Sequence, residues 1–329
     1  MMKVLVTIPV EQEHREYLEK IGKKIGEKTG KALEFYYVPR GGATKEQVLQ
    51  ADIILGNVPP EFLKDAKHLK FLQLDSAGAV EYASDKVMPE GAKLANATGA
   101  YGLAISEYML GCVLMLRKKL NLYQDNMKRH EWKDEGMVLS IADTVTLVVG
   151  LGDIGGQFAR KMSALGSRVI GVRRNQSKCP DYLDELHLTE ELDELLPRAD
   201  IVACSLPGTA ETEGMFHLER LKKMKKGAIL LNVGRGSLIP SEALLEVLES
   251  GHLGGAAIDV AEIEPLPASS PLWDAPNLLI TPHVSGNYHM KQILDTAVKI
   301  AGENLSAFLE GKELKNEVDF STGYRKFQG

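Results

Sequence analysis

The sequence predicts an α/β protein of two doubly wound, parallel-sheet domains, and three observations predict it. Strand-like and helix-like runs alternate from the first residues onward; a G-x-G-x-x-G loop opens the second series of that alternation; and Arg235, Glu264 and His283 each stand just past a short apolar run. Alternation of this kind argues a parallel sheet with crossover helices. In open α/β sheets ligands bind outside the carboxyl ends of the strands, so polar residues placed there converge on one site.

The chain of 329 residues is longer than one core usually supports, so two domains are expected. Apolar residues make up 44% and charged residues 26%, close to soluble globular averages, which allows sizeable cores. A net charge of -6 without a dense Lys/Arg block gives no electrostatic footprint for nucleic acid or an anionic membrane. The most basic stretch, LKKMKKG over 221–227, reads as the C-terminal end of a helix, where cations complement the dipole. Ala104 to Leu116 is the most apolar helical candidate, but Glu107 interrupts it and it falls well short of the ~20 residues that cross a bilayer. The start, MMKVLVTIPVEQEH, lacks the layout of a signal peptide, so a cytoplasmic protein is expected. Cys112, Cys179 and Cys204 show neither close pairing nor metal-like spacing; reduced thiols are expected, and no metal site.

In chain order, the first series runs KVLVTI, a Glu/Lys-rich helix to about Thr29, then LEFYYV, ADIILGN, LKFLQLD and AKLANA. A long helix at about 103–120 follows. The second series contains six strand-like runs, TVTLVVG, SRVIGV, ADIVACSL, GAILLNV, GGAAIDV and NLLITPH, separated by helical segments such as SEALLEVLES. From about Tyr288 the pattern is helical, with Ile293, Ala297, Ile300 and Ala301 on one face. The economical reading is that this helix returns to the first domain. The domains are then 1–100 plus 288–329, discontinuous and flavodoxin-like, and 101–287.

The segment VVGLGDIGGQFAR holds Gly150, Gly152 and Gly155 directly after a strand and directly before an amphipathic helix, the context that gives the motif meaning. Gly150 makes the tight turn, Gly152 lets the backbone approach a pyrophosphate, and Gly155 lets the helix pack on its strand. Amides of Gly152, Asp153 and Ile154 then face the phosphates. This makes the second domain Rossmann-like and the first the substrate domain. An NAD site usually has an acid about 20 residues further on. Here the second strand ends in Arg173 and Arg174, a pair suited to a 2'-phosphate, so NADP is favoured; two solvated arginines with NAD held by other contacts is the alternative.

Arg235 sits between Gly234 and Gly236, which permit unusual backbone angles, and a guanidinium there suits bidentate capture of a carboxylate and polarisation of a carbonyl. His283 ends the strand NLLITP, and imidazole is the natural proton carrier near neutral pH. Glu264, in a loop stiffened by Pro265 and Pro267, is placed to hold a proton-bearing imidazole by a charged hydrogen bond. Each residue alone has a bland reading as a turn or loop residue; the three together, in a domain with a dinucleotide loop, argue a catalytic site.

With these residues in view, the chain resembles the D-isomer-specific 2-hydroxyacid dehydrogenase family over nearly its whole length. The matching segments are LDSAGAVEY, LANATGAYGLAISEYML, VVGLGDIGGQFAR, SLPGTAET, LLNVGRGSLI, AAIDVAEIEPLP and SPLWDAPNLLITPHVSG. The resemblance implies that Arg235 binds the substrate carboxylate and carbonyl, that His283 is the general acid/base and that Glu264 tunes it. It implies that Asp259 contacts the nicotinamide carboxamide, that Leu206, Pro207, Val233, Ser285 and Gly286 also bind the cofactor, and that Ala77, Gly78 and Ala79 offer amides to the substrate carboxylate. The Arg173-Arg174 pair departs from the family's commonest pattern, which bears on NAD itself. The expected activity is hydride transfer between NAD(P)H and a 2-keto acid or D-2-hydroxy acid, in a homodimer. A cofactor-sensing binding protein on the same fold is the alternative.

Overall fold

The computed structural model describes residues 1–84 and 87–326; residues 85, 86 and 327–329, assigned from sequence to the first domain, lie outside the described residues. The chain divides into two compact units, Met1–Ala100 with Tyr288–Gly329, and Tyr101–Asn287.

The first unit opens with β1 (Met2–Val6), α1 (Gln12–Thr29), β2 (Leu33–Tyr37), α2 (Lys45–Gln50), β3 (Ile53–Leu55), α3 (Pro60–Leu63), β4 (Phe71–Gln73), α4 (Val80–Ala83) and β5 (Lys93–Ala95). Its parallel sheet has the order β2-β1-β3-β4-β5, with a topological switch beside β1. Successive strand residues point to opposite faces, and the core is divided accordingly. Val4, Val6, Ile53 and Leu55 pack with Leu18 and Ile25 of α1 on one face. Leu5, Ile54 and Leu72 pack with Val48 of α2 and Leu63 of α3 on the other. At α2, Thr44 Oγ1 accepts from the Gln47 amide while Gln47 Oε1 accepts from the Thr44 amide, a capping box that fixes where the helix starts.

The second unit contains α5 (Gly102–Arg117), α6 (Leu120–Lys128), β6 (Val145–Val149), α7 (Asp153–Ala164), β7 (Arg168–Arg173), β8 (Glu185–Leu188), α8 (Leu192–Leu195), β9 (Ile201–Cys204), α9 (Leu218–Leu221), β10 (Ile229–Asn232), α10 (Ser241–Glu249), β11 (Gly255–Ile258) and β12 (Leu278–Ile280). Its parallel sheet has the order β12-β11-β10-β9-β6-β7-β8, reversing direction between β6 and β9. That reversal places the turn after β6 beside the segment after β9, the position where doubly wound sheets bind ligands. Leu147, Val202 and Leu230 are fully buried among Leu244, Val247 and Leu248 of α10. Each side chain buried in this way contributes ~1.5–3 kcal/mol.

Seven strands replace the six read from sequence. The added strand, β8, is an edge strand whose four residues are all only half-buried, and its sequence ELHL, set among acids, carries no apolar run. The basic run at 221–227 only partly caps a helix: Lys222 follows α9 as its C-cap, but its lysines are engaged in ion pairs, Lys222 with Glu246 at 2.9 Å, Lys223 with Asp193 at 2.8 Å and Lys225 with Asp200 at 2.6 Å.

The chain then returns to the first unit with α11 (Lys291–Leu309) and the short hairpin β13 (Val318–Asp319) and β14 (Tyr324–Arg325). Leu294, Val298, Ala301 and Leu305 of α11 complete the core face that α1 covers, and Gly302 lets Tyr17 and Ile21 of α1 approach closely. No helix among the described residues is long and apolar enough to cross a membrane.

Candidate active site

At the turn after β6 each glycine has a separate reason. Gly150 has φ 99°, a left-handed conformation open to glycine, and a Cβ on Gly155 would lie 1.9 Å from the Gly150 carbonyl oxygen. Around Gly152, the N-cap of α7, nothing stands within 4 Å of where a Cβ would be, so the backbone is open to close approach by a ligand. Ser205 Oγ donates to the Gly150 carbonyl at 2.8 Å, tying the turn to the segment after β9. Asp153 starts α7, and its Oδ2 accepts from the Gly102 amide at 2.7 Å. The first turn of α7, at Asp153 and Ile154, carries the positive end of its dipole, which suits a diphosphate. Leu206 and Pro207 follow β9, and the Leu206 carbonyl packs against Gly234, next to the buried Val233.

Beyond β7, Arg173 Nη1 donates to Ser177 Oγ, and both residues border a cavity of about 480 Å³ together with Gln176, His187 and Glu191. Glu191 is the only carboxylate in that lining. Its Oε2 accepts from the Leu188 amide at 2.9 Å and its Oε1 pairs with His187 Nδ1 at 2.8 Å. Hydrogen bonds donated to Glu191 and then to Glu185 raise the His187 pKa above its ordinary value. Arg174 follows as an exposed residue.

The turn after β10 carries Arg235, exposed and extended in backbone. Its Nη1 donates to the Gly234 carbonyl at 2.8 Å, while Asn232 braces the turn, accepting from the Gly234 amide at 3.1 Å and donating to the Arg235 carbonyl at 2.9 Å. The two flanking glycines do not serve unusual backbone angles: neither is among the glycines of positive φ. They are needed for close approach, since a Cβ on Gly234 would lie 2.2 Å from the Leu206 carbonyl oxygen and one on Gly236 1.8 Å from that of Ala261.

The second of these contacts leads to the acid. Ala261 donates its amide to Glu264 Oε1 at 3.0 Å, and Glu264 Oε2 lies 2.9 Å from His283 Nδ1. A carboxylate only accepts, so Nδ1 carries a proton and Nε2 is the nitrogen left for chemistry. Both side chains are partly open, at 39% for Glu264 and 51% for His283. His283 itself has φ 54°, a left-handed conformation costing a residue with a Cβ roughly 1–2 kcal/mol, and its amide is held by the Asp259 carbonyl at 2.8 Å.

Buried Asp259, 2% exposed, accepts from the Val284 and Ser285 amides at 2.9 and 3.0 Å and from the Thr281 hydroxyl at 2.5 Å. Gly286 lies against Ile105 and Tyr101. Glu264, His283, Asp259 and Ser285 are thus joined by direct bonds, and Arg235 reaches them through Gly236 and Ala261. Asn232, Ser205 and Thr281 are the supporting residues that sequence patterns did not single out.

In the first unit, Ala77, Gly78 and Ala79 follow β4. Asn96 Nδ2 donates to the Ala77 carbonyl and Ser76 Oγ to the Gly78 carbonyl, both at 2.8 Å. Among the described residues the three amides of this loop donate to nothing in the chain. Just before it, Asp75 is 1% exposed and accepts from the Tyr288 hydroxyl at 3.0 Å; burial raises its pKa, against the lowering effect of Arg40.

Residues 110–285 match the family described as D-isomer specific 2-hydroxyacid dehydrogenase, NAD binding domain. The chain belongs to the D-isomer specific 2-hydroxyacid dehydrogenase family. A glycerate dehydrogenase of Methylorubrum extorquens is 28% identical over 279 residues, 81% of this chain and 85% of that one. A solved family protein from Aeromonas salmonicida has a TM-score of 0.79 at 30% identity, over 97% of this chain and 99% of that chain. An NADPH-dependent glyoxylate/hydroxypyruvate reductase from Sinorhizobium meliloti, solved with NADP and sulfate, has a TM-score of 0.81 at 26% identity, over 98% of this chain and all of that chain (100%). As a member of this dehydrogenase family the protein is an NAD(P)-dependent oxidoreductase of small hydroxy or keto acids.

Proposed function

We propose that the protein reduces a 2-keto acid to the D-2-hydroxy acid, with NADPH favoured over NADH. The observation that carries this reading is the 2.9 Å pairing of His283 Nδ1 with Glu264, which leaves Nε2 available for proton transfer in the unit that holds the glycine turn. The nicotinamide cofactor, when bound, supplies the hydride that goes to the carbonyl carbon. Arg235 holds the substrate carboxylate with two parallel hydrogen bonds and stabilises the charge developing on the carbonyl oxygen. His283 Nε2 protonates that oxygen, and Glu264 balances the imidazolium from the other side of the ring. Ala77, Gly78 and Ala79 offer amides to the carboxylate. Gly152, Asp153 and Ile154 hold the diphosphate; Leu206, Pro207, Val233, Asp259, Ser285 and Gly286 line the remainder of the cofactor path.

Cofactor choice rests on Arg173 and Arg174. No carboxylate in the cavity beyond β7 is uncommitted, and the Sinorhizobium reductase was solved with NADP. Initial rates for a panel of small keto acids against NADH and NADPH are expected to favour NADPH. Replacing both arginines with alanine should lower kcat/KM for NADPH by about 10–100-fold, with far less effect for NADH, as hydrogen bonds to charged groups are worth ~1.5–3 kcal/mol. A clear preference of the wild type for NADH would contradict the assignment. The alternative, a cofactor-sensing binding protein, draws no support from these relatives; cofactor binding without turnover of any keto acid would favour it.

A second copy of the chain is the proposed partner. Met127, Trp132 and Met137 are 69%, 105% and 87% exposed within one segment, the apolar side chains that such a partner would cover. Light scattering should then give twice the chain mass, and a monomer mass at micromolar concentration contradicts it. A cytoplasmic setting fits this reading, with all three cysteines free.

A further inference from the structure

The His283 turn is held by more than its own sequence. Asp259 accepts four hydrogen bonds from the 281–285 segment on its carboxylate: Oδ1 takes the Thr281 hydroxyl and the Val284 amide, and Oδ2 takes the amide and hydroxyl of Ser285. A carboxylate offers about four acceptor positions, so these donors fill it. Its backbone carbonyl takes a fifth, the His283 amide.

The network extends to α5. Tyr108 Oη lies 2.7 Å from Thr281 Oγ1. The Thr281 hydroxyl has one proton, and the carboxylate, which can only accept, takes it; the Tyr108 hydroxyl must therefore donate to Thr281. Burial raises the Tyr108 pKa far above its ordinary value, so the phenol keeps the proton that this direction needs. The left-handed backbone of His283, with φ 54°, is a conformation that persists where the surroundings over-determine it, and Asp259 supplies that determination.

We infer that Tyr108, Thr281 and Asp259 form a relay of positioning residues that sets the His283 turn and so presents Nδ1 to Glu264. The inference rests on His283 being the proton donor proposed above.

Thr281→Val removes the hydroxyl at nearly constant shape, Thr281→Ser retains it, and Tyr108→Phe removes only the first donor. The account expects Thr281→Val to lose about 10–100-fold in kcat, since a displacement of the order of 1 Å at a catalytic group can cost that much. Thr281→Ser should stay within a few-fold of wild type, Tyr108→Phe should fall between them, and reduced-cofactor affinity should change little in all three.

Thr281→Val turning over like wild type overturns the relay. So does Thr281→Ser failing as badly as Thr281→Val, which would make the effect one of packing. Weakened cofactor binding with kcat intact at saturation would give Asp259 the direct cofactor role instead. Nitrogen NMR of labelled histidine supplies a readout free of turnover: the His283 Nδ1–H signal bonded to Glu264 should persist in wild type and Thr281→Ser and be lost or shifted in Thr281→Val. If no keto acid is reduced by wild type, the proposed function fails, while an unchanged signal in Thr281→Val and Tyr108→Phe would sink the relay alone.

Discussion

Replacing His283 with alanine is expected to lower kcat by ~10²–10⁴-fold, the range that a positioned general acid contributes, or about 3–5 kcal/mol of barrier. Reduced-cofactor affinity should stay near that of wild type, because the amide, not the ring, ties this residue into the network: His283 N donates to the Asp259 carbonyl at 2.8 Å. The imidazole is half exposed and its one fixed partner is Glu264, so truncation leaves no buried group unpaired. Stopped-flow turnover with a fluorescence titration of cofactor separates the two quantities. Turnover retained within a few-fold would remove His283 from the chemistry.

Replacing Arg235 with alanine is expected to act on both KM and kcat. Two charge-assisted hydrogen bonds to a carboxylate, at ~1.5–3 kcal/mol each, predict a loss of about 10²–10⁴-fold in kcat/KM. The effect on turnover comes from charge developing on the carbonyl oxygen, which Arg235 stabilises more in the transition state than in the ground state. Arg235→Lys keeps the charge but not the planar fork, so it should recover only part of the loss. Folding stability should change little, because the side chain is exposed and its bond to the chain is with the neighbouring Gly234 carbonyl at 2.8 Å. Unchanged KM and kcat in the alanine variant would exclude Arg235 from the site.

What the sequence made legible follows from how each feature is encoded. Buried parallel strands such as TVTLVVG and GAILLNV are continuous apolar runs, because sheets covered on both faces demand them. The edge strand β8 has no such demand, and ELHL passed unrecognised. Glycine identity was visible at 234 and 236, but its cause was not: close approach to Leu206 and Ala261 is a tertiary fact, whereas positive φ was the local explanation at hand. Pairing of Glu264 with His283 was readable because both residues are chemically conspicuous and stand past neighbouring strands. The Tyr108–Thr281 bond joins residues 173 positions apart, and neither residue type announces it.

Product analysis tests the central claim most directly. Wild-type protein incubated with NADPH and each of glyoxylate, hydroxypyruvate and pyruvate should, for at least one of the acids, consume cofactor and form the 2-hydroxy acid in equal amounts. Any chiral product should be the D isomer, and His283→Ala should form it ~10²–10⁴-fold more slowly. Cofactor that binds but is not oxidised by any 2-keto acid, or a chiral product of the L configuration, would contradict the account.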